Sequence, residues 1–365
     1  MRKKSNKTMT GAQKQPNKIW LLIQLVLLLL SSVASRAAEL QYPAGSWQRL
    51  DPAEKRHWSA EKLNAAREYA KSIQSSAYMV IFGGRVLDEW GETSTRFKVH
   101  SVRKSFLSSL YGIAVHEGRI SLTSNLQELG IDDNEPSLTP IEKTATVQDL
   151  LKARSGIYHV AHAETSQMKA RRPARGSHRP GTHWYYNNWD FNALGTIFEQ
   201  KAQAPIFAEF KKRIAEPLGM ENFRINDGSY VSGKISNHRA YHFWMTARDM
   251  ARFGLLYLRQ GMWNRRQIIP HDWVKESTTP YSDVGGRGGY GYMWWVAAHG
   301  KHFPSVKLPD GSFSARGNGG QYILIIPQFD MVIVHQRNTE IRHERIGGRE
   351  FGGLVKRILD ARIVS

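Results

Sequence analysis

The stretch Ser101-Val-Arg-Lys-Ser-Phe-Leu-Ser-Ser-Leu-Tyr-Gly-Ile-Ala114 decides how this chain is read. Phe106, Leu107, Leu110 and Ala114 fall on one side of a helix, Gly118 stops it, and Ser101 stands at its start. Lys104, one turn on, lies on the same face and can approach the Ser101 hydroxyl. A serine hydroxyl is a poor nucleophile until a neighbour takes its proton, and a partly buried lysine with a lowered pKa can do so. The helix N-terminus adds positive potential for the developing alkoxide. Alone the pattern is weak: Ser-x-x-Lys arises by chance about once in a chain this long. Ser59 to Lys62 and Ser166 to Lys169 also fit it. An N-capping serine beside a solvated lysine is the plain alternative.

Upstream, Ser59 to Ser72 spaces Leu63, Ala66, Tyr69 and Ala70 helically, and two apolar runs, Tyr78 to Phe82 and Val86 to Trp90, flank Gly83-Gly84 as a hairpin would. Downstream the chain reads mostly as helices and loops, with helices predicted over 146–153, 192–201, 206–214 and 246–259. Strands return at 291–297, 321–327 and 331–335, and a last helix at 352–363. Strands at both ends with helices between them predict an α+β fold. An antiparallel sheet assembled from both termini is flanked by helices and carries an inserted, mostly helical subdomain. The expected divisions are 41–100 and 285–365 for the two parts of the sheet subdomain, with 101–284 inserted between them. A cleft between such halves is a natural binding site.

Two further pieces carry chemistry. Pro180-Gly-Thr-His-Trp-Tyr-Tyr-Asn-Asn-Trp-Asp190 is a turn leading into a helix near Asp190. A tyrosine there can relay a proton and an Asn amide can orient a lysine or a carbonyl, although an aromatic core patch would use the same residues. Arg316-Gly-Asn-Gly-Gly-Gln-Tyr322 precedes a strongly apolar strand, and its glycines let the backbone approach a ligand. A strand-edge N–H there, paired with that of Ser101, would form an oxyanion hole. The plain alternative is a turn or bulge. His159, His162 and Glu164 look like metal ligands on paper, but a lone His-x-x-His is more often structural, and no metal or cofactor is expected. The Gly-rich 285–291 lacks the Lys-Ser/Thr of a phosphate loop and reads as a flexible loop bordering the cleft.

Composition bounds the rest. The chain has 365 residues and no cysteine, which excludes disulfides and thiolate chemistry. Residues 1–37 read as an export signal: a basic start, the apolar run Ile19 to Leu30, then small residues before Ala38. If uncleaved, the run extended through Ser31 to Ala38 is an anchor. The expected location is therefore periplasmic or secreted. Removing the seven basic residues up to Arg36 takes the formal charge from +19 to +12. That charge is scattered and implies at most weak attraction to anionic envelope polymers. Only Lys169 to Arg179 is a true basic cluster, read as an exposed loop. No nucleic-acid module is visible.

In order and setting, these pieces resemble the serine beta-lactamase and penicillin-binding-protein superfamily. Specifically, they resemble its branch of class C beta-lactamase-like hydrolases, carboxylesterases and 6-aminohexanoate-oligomer hydrolases. The likeness extends over about 60–345 and includes Thr146-Val-Gln-Asp-Leu-Leu with Ser155-Gly156, Glu216-Pro-Leu-Gly-Met220, Thr246-Ala-Arg-Asp-Met-Ala-Arg-Phe-Gly254, Trp263 to Pro270 and Gly289-Tyr-Gly-Tyr-Met-Trp-Trp295. The resemblance implies Ser101 as nucleophile and Lys104 as base. It places the Tyr-x-Asn motif on Tyr186 and Asn188, five residues after Gly181, with Tyr185 the alternative. The third motif falls on Asn318-Gly319-Gly320, followed by Gln321 as second oxyanion donor. The family usually has Lys or His where this chain has Asn318, which implies esters or simple amides rather than beta-lactams or D-alanyl peptides. Arg316 could still supply a cation. The resemblance thus implies a serine hydrolase forming an acyl-enzyme with a small ester or amide. Its rivals are a true beta-lactamase or D-alanyl-D-alanine carboxypeptidase, and a non-catalytic envelope-binding protein on the same fold.

Overall fold

The computed structural model describes residues 40–341 and 345–363. The expected leader, 1–37, lies outside them. Among the described residues no helix is long and apolar enough to cross a membrane.

The chain enters through helix α1 (Ala60–Ser72), capped by the Ser59 side chain, and then strands β1 (Ala77–Phe82) and β2 (Arg85–Gly91). Gly83 and Gly84 both have positive φ, which the tight turn between the strands requires. Short β3 (Phe97–Lys98) leads into a 3-10 turn, His100–Val102, and helix α2 (Arg103–His116). Helices α3 (Val147–Leu151), α4 (Ser166–Arg171), α5 (Asn188–Ala202) and α6 (Ile206–Phe210) follow, then a hairpin of β4 (Gly228–Gly233) and β5 (Ser236–Met245). Next come α7 (Ala247–Leu258), the two-residue ribbon β6 (Met262–Trp263) and β7 (Arg266–Gln267), and α8 (His271–Ser277). The chain closes through β8 (Ser282–Asp283), β9 (Gly289–Tyr290), β10 (Trp295–Val296), β11 (Phe313–Gly317), β12 (Gln321–Ile326), β13 (Met331–Gln336) and α9 (Gly348–Asp360).

Eight antiparallel strands form one sheet in the order β2-β1-β13-β12-β11-β10-β9-β8, so β1 from one end of the chain pairs with β13 from the other. Both faces are covered. Tyr78, Val80, Leu324, Ile326 and Ile333 pack against Leu63 and Ala66 of α1 and Phe351 and Leu354 of α9. Their neighbours Met79, Ile81, Ile323, Ile325, Val332 and Val334 join the core shared with α2 and α7. This double burial is why the strands read as unbroken apolar runs. Gly254 brings α7 closest to the sheet: a Cβ there would lie 2.5 Å from Val332 Cγ1. Helix α2 is buried from Arg103 to Ala114, as a central helix with little amphipathicity should be.

Several elements differ from the sequence reading. The segment expected to hold mostly helices and loops also contains the β4–β5 hairpin, which β3 extends to three strands. The single strand expected over 291–297 is two short strands around a tight turn in which Met293 has φ 61°. Strand β11, unforeseen, is the element that ends beside Ser101. Helix α5 starts at Asn188 rather than near Asp190, because Asn187 caps it by accepting from Trp189 N–H. The helix expected over 206–214 is α6 followed by a π-turn, Lys211–Ala215.

Candidate active site

Ser101 sits in the 3-10 turn that opens α2, behind His100, whose φ of 48° is held in the left-handed region with its Nε2 2.7 Å from Thr339 Oγ1. One turn on, Lys104 Nζ lies 2.8 Å from Ser101 Oγ. The lysine is 1 % exposed, and burial, then the charge of Arg103, push its pKa well below the usual lysine range. Arg103 is itself buried, with no acid beside it: one Nη reaches the His100 carbonyl and the guanidinium faces the Tyr241 ring at 5.1 Å. Of the three Ser-x-x-Lys matches, Ser59 and Ser166 lie at the ends of surface helices α1 and α4. Only the Ser101 match joins a buried lysine to its serine.

Tyr186, immediately before the α5 cap, stands over the same pair. Lys104 Nζ is 5.0 Å from its ring centre and 4.9 Å from that of Phe191. The ring stacks on Trp295 at 5.6 Å and meets Phe191 at 5.0 Å. Burial raises the Tyr186 pKa, and the Ser101 hydroxyl beside it pulls the other way. Both shifts favour the uncharged forms, the arrangement in which a lysine can accept a proton and a tyrosine can pass one on. Tyr185 also borders the cavity, but its hydroxyl is engaged away from the Ser101–Lys104 pair, donating to the Met168 carbonyl at 2.8 Å. Asn188 is buried, donates to the Ala163 carbonyl at 2.7 Å and does not line the cavity. The turn is held by buried Asp190, which accepts from Ser155 Oγ at 2.5 Å and Asn187 Nδ2 at 2.8 Å. Burial raises the Asp190 pKa well above the carboxylate range.

The third piece requires a correction of register. Gly317, the last residue of β11, and Asn318 line the cavity with Ser101, whereas Gly319, Gly320 and Gln321 do not. Gly319 and Gly320 form the hairpin turn with φ of 79° and 108°. The turn packs away from the cavity: a Cβ on Gly319 would meet Thr339 Cγ2 at 2.3 Å. The Gly320 carbonyl accepts from His335 Nδ1 at 2.6 Å, and His335 Nε2 lies 2.7 Å from Ser75 Oγ. Gln321 is fully buried, pairs with Gly317 across the sheet and donates from Nε2 to the Arg337 carbonyl. The residue after the strand end, Asn318, therefore shares the cavity with Ser101, and Gln321 does not. Spacing of glycines alone could not say which glycine ends the strand.

The cavity beside Ser101 has a volume of about 510 Å³. Trp184, Tyr185, Tyr186, Trp295 and Phe303 form aromatic walls, and Arg171, Arg287 and Arg316 reach it. The Gly-rich loop does border the site: Gly285–Arg287 is a 3-10 turn that sets Arg287 over Trp295 at 4.9 Å. The basic cluster is not simply exposed loop, since Arg172 pairs with Glu164, Arg175 pairs with Glu142, and α4 brings Arg171 to the cavity. The paper metal site is dispersed: His162 Nε2 lies 3.2 Å from the Ser236 carbonyl, His159 faces Glu142, and Glu164 holds Arg172. Sequence reading missed Trp295, hidden in an apolar run, and Arg287, a lone cation in a loop without periodicity.

Comparison with known proteins bears on the family and the fold. The beta-lactamase family model matches residues 61–348. An uncharacterized protein of Alkalihalophilus pseudofirmus is 24% identical over 272 residues, 68% of this chain and 75% of that one. Among solved structures, the "Putative 6-aminohexanoate-dimer hydrolase from Bacillus anthracis" superposes with a TM-score of 0.62 at 22% identity, covering 88% of this chain and 86% of that one. A beta-lactamase/D-alanine carboxypeptidase from Pseudomonas syringae gives 0.59 at 18% identity, covering 82% and 99%. These structural likenesses speak for the fold. With the family model spanning most of its length, the chain belongs to the beta-lactamase family.

Proposed function

We propose that this protein hydrolyses carboxylic esters or amides through an acyl-enzyme on Ser101. The observation that carries the reading is the 2.8 Å contact between Ser101 Oγ and a buried Lys104 with no acid beside it. In the proposed reaction Lys104 Nζ takes the Ser101 proton as Oγ bonds to the substrate carbonyl carbon. The oxyanion is held by the backbone N–H groups of Ser101 and Asn318. Tyr186 passes the proton to the departing oxygen or nitrogen, the carbon-to-leaving-group bond breaks, and water then hydrolyses the ester on Ser101 by the reverse proton path. Asn188 supports this site through Ala163 without touching the substrate.

Ester or amide cleavage is favoured over beta-lactam cleavage because, with Asn318 as the oxyanion donor, uncharged Ala315 falls where the family's third motif carries Lys or His. The beta-lactamase or carboxypeptidase reading draws its support from Arg316, a cation one residue from the strand end. Assays with p-nitrophenyl esters, short amides and a chromogenic cephalosporin separate the two. Ser101→Ala should abolish turnover with the fold intact, and undiminished ester hydrolysis by that variant would overturn the proposal. Export is part of the same proposal, and sequencing the N-terminus of protein recovered from the cell envelope tests it.

A further inference from the structure

Five arginines line the candidate cavity, Arg171, Arg287 and Arg316 among them, and no Asp or Glu is among the described residues that line it. Their neighbours in the chain are treated differently. Arg172 and Arg175, just beyond Arg171, are each neutralised by a glutamate, and so is Arg252 in the core. Arg171 and Arg287, which face the cavity, have no carboxylate partner among the described residues. Arg316 gives its donors to neutral acceptors only: Ser314 Oγ at 2.9 Å, His302 Nδ1 at 2.9 Å and the His302 carbonyl at 3.0 Å. Its guanidinium lies 4.0 Å from the centre of Phe303 and 5.0 Å from that of Trp295, and Arg287 shares the Trp295 ring.

Stacking on aromatic faces orients a guanidinium while leaving its unbonded edge, for Arg316 the Nη1 end, open to an oxyanion. Concentrating like charges has a cost that shows in their protonation. Burial and then the charge of Arg171 lower the Arg287 pKa, and burial together with Arg287 lowers that of Arg316 to about 9. One carboxylate is satisfied by one guanidinium in a two-pronged contact, so three uncompensated arginines exceed what a single carboxylate needs. Arg345 and Arg349 at the rim extend the same sign of charge.

We propose that the cavity selects substrates carrying two or more anionic groups, held by Arg171, Arg287 and Arg316, with the aromatic walls taking the apolar part of the molecule. This rests on the hydrolase reading for what happens to the bound molecule, but not for the binding itself. The recognising chemistry is a set of closely spaced oxyanions, whether carboxylates or phosphates.

Binding is therefore measured on Ser101→Ala, where no turnover occurs, by calorimetric titration with acetate, tricarballylate and pyrophosphate at one ionic strength. Tricarballylate should bind at least about tenfold more tightly than acetate, about 1.4 kcal/mol. Arg171→Gln/Arg287→Gln, placed on the same background, should remove that preference, while Lys201→Gln on the exposed end of α5 should not. Pyrophosphate binding more tightly than tricarballylate assigns the site to phosphates, and the reverse assigns it to carboxylates. Equal affinity for acetate and the polyanions, or a preference that survives the double substitution with thermal melting unchanged, refutes the proposal. Polyanion binding without any wild-type ester or amide hydrolysis would refute the hydrolase reading alone.

Discussion

Gly317→Ala tests how closely strand β11 must approach the Ser101 turn. A Cβ on Gly317 would lie 2.3 Å from the Val99 carbonyl oxygen and 2.8 Å from Gln321 Cβ, both closer than real Cβ contacts come. The first atom is backbone one residue before His100, so relief cannot come from a side-chain rotation. Either β11 or the turn must retreat by about 1 Å. A misplacement of that size can cost about 100-fold in rate, and loss of one oxyanion donor about 100- to 1,000-fold in kcat. Kinetics on p-nitrophenyl butyrate should therefore show kcat falling by about 100-fold or more, with KM changed much less. Circular dichroism should be unaltered, since β11 remains paired with β12 over the rest of its length. Gly45→Ala is the matched control, because a Cβ there meets nothing within 4 Å. Near-wild-type kcat in a folded Gly317→Ala protein would show that the strand end does not position an oxyanion donor.

Other expectations follow from neighbouring contacts. Tyr186→Phe keeps the ring packing on Trp295 and Phe191 but removes the hydroxyl, so ester turnover should fall about 100-fold or more, whereas Tyr185→Phe should change it less than about threefold. Equal effects of the two would refute the assignment. Buried His335 has its pKa lowered to about 4, below the usual 6.5, so the unfolded chain binds the proton first as pH falls. Stability is then lost between pH 6.5 and 4, by up to about 3 kcal/mol from this residue. His335→Gln should lessen the fall in melting temperature between pH 7 and 4.5, and an unchanged slope would contradict this. Gly254→Ala should destabilise by about 1–2 kcal/mol: overpacking against Val332 costs about 1–3 kcal/mol and better helix propensity offsets up to about 1. Val332→Ala should relieve part of that loss in denaturant titrations of the double variant.

Sequence reading went furthest where one local signal dominated. The Gly83-Gly84 turn, the α1 periodicity, and the helices over 146–153 and 246–259 were each visible in a few residues, and the structure forms each of them. The meeting of β1 with β13 followed from apolar runs at both ends. The β4–β5 hairpin escaped because Ser236 to Met245 mixes histidines, Arg239 and aromatics, so that neither period stands out. Strand β11 escaped because Ser314 and Arg316 interrupt its apolar character. The candidate site was legible as far as Ser101, Lys104 and Tyr186, each marked by a spacing. What was not legible depended on tertiary approach: the strand end that faces Ser101, the Trp295 stack, and the arginines brought to one cavity from α4, a glycine loop and β11.

The central claim, that Ser101 is the residue acylated, is tested most directly by peptide mapping of the wild-type protein after reaction with a fluorophosphonate probe. A single adduct on the peptide containing Ser101, absent from Ser101→Ala and slowed in Lys104→Met, is the expected result. No adduct, or one on another serine such as Ser75 beside His335, would contradict it.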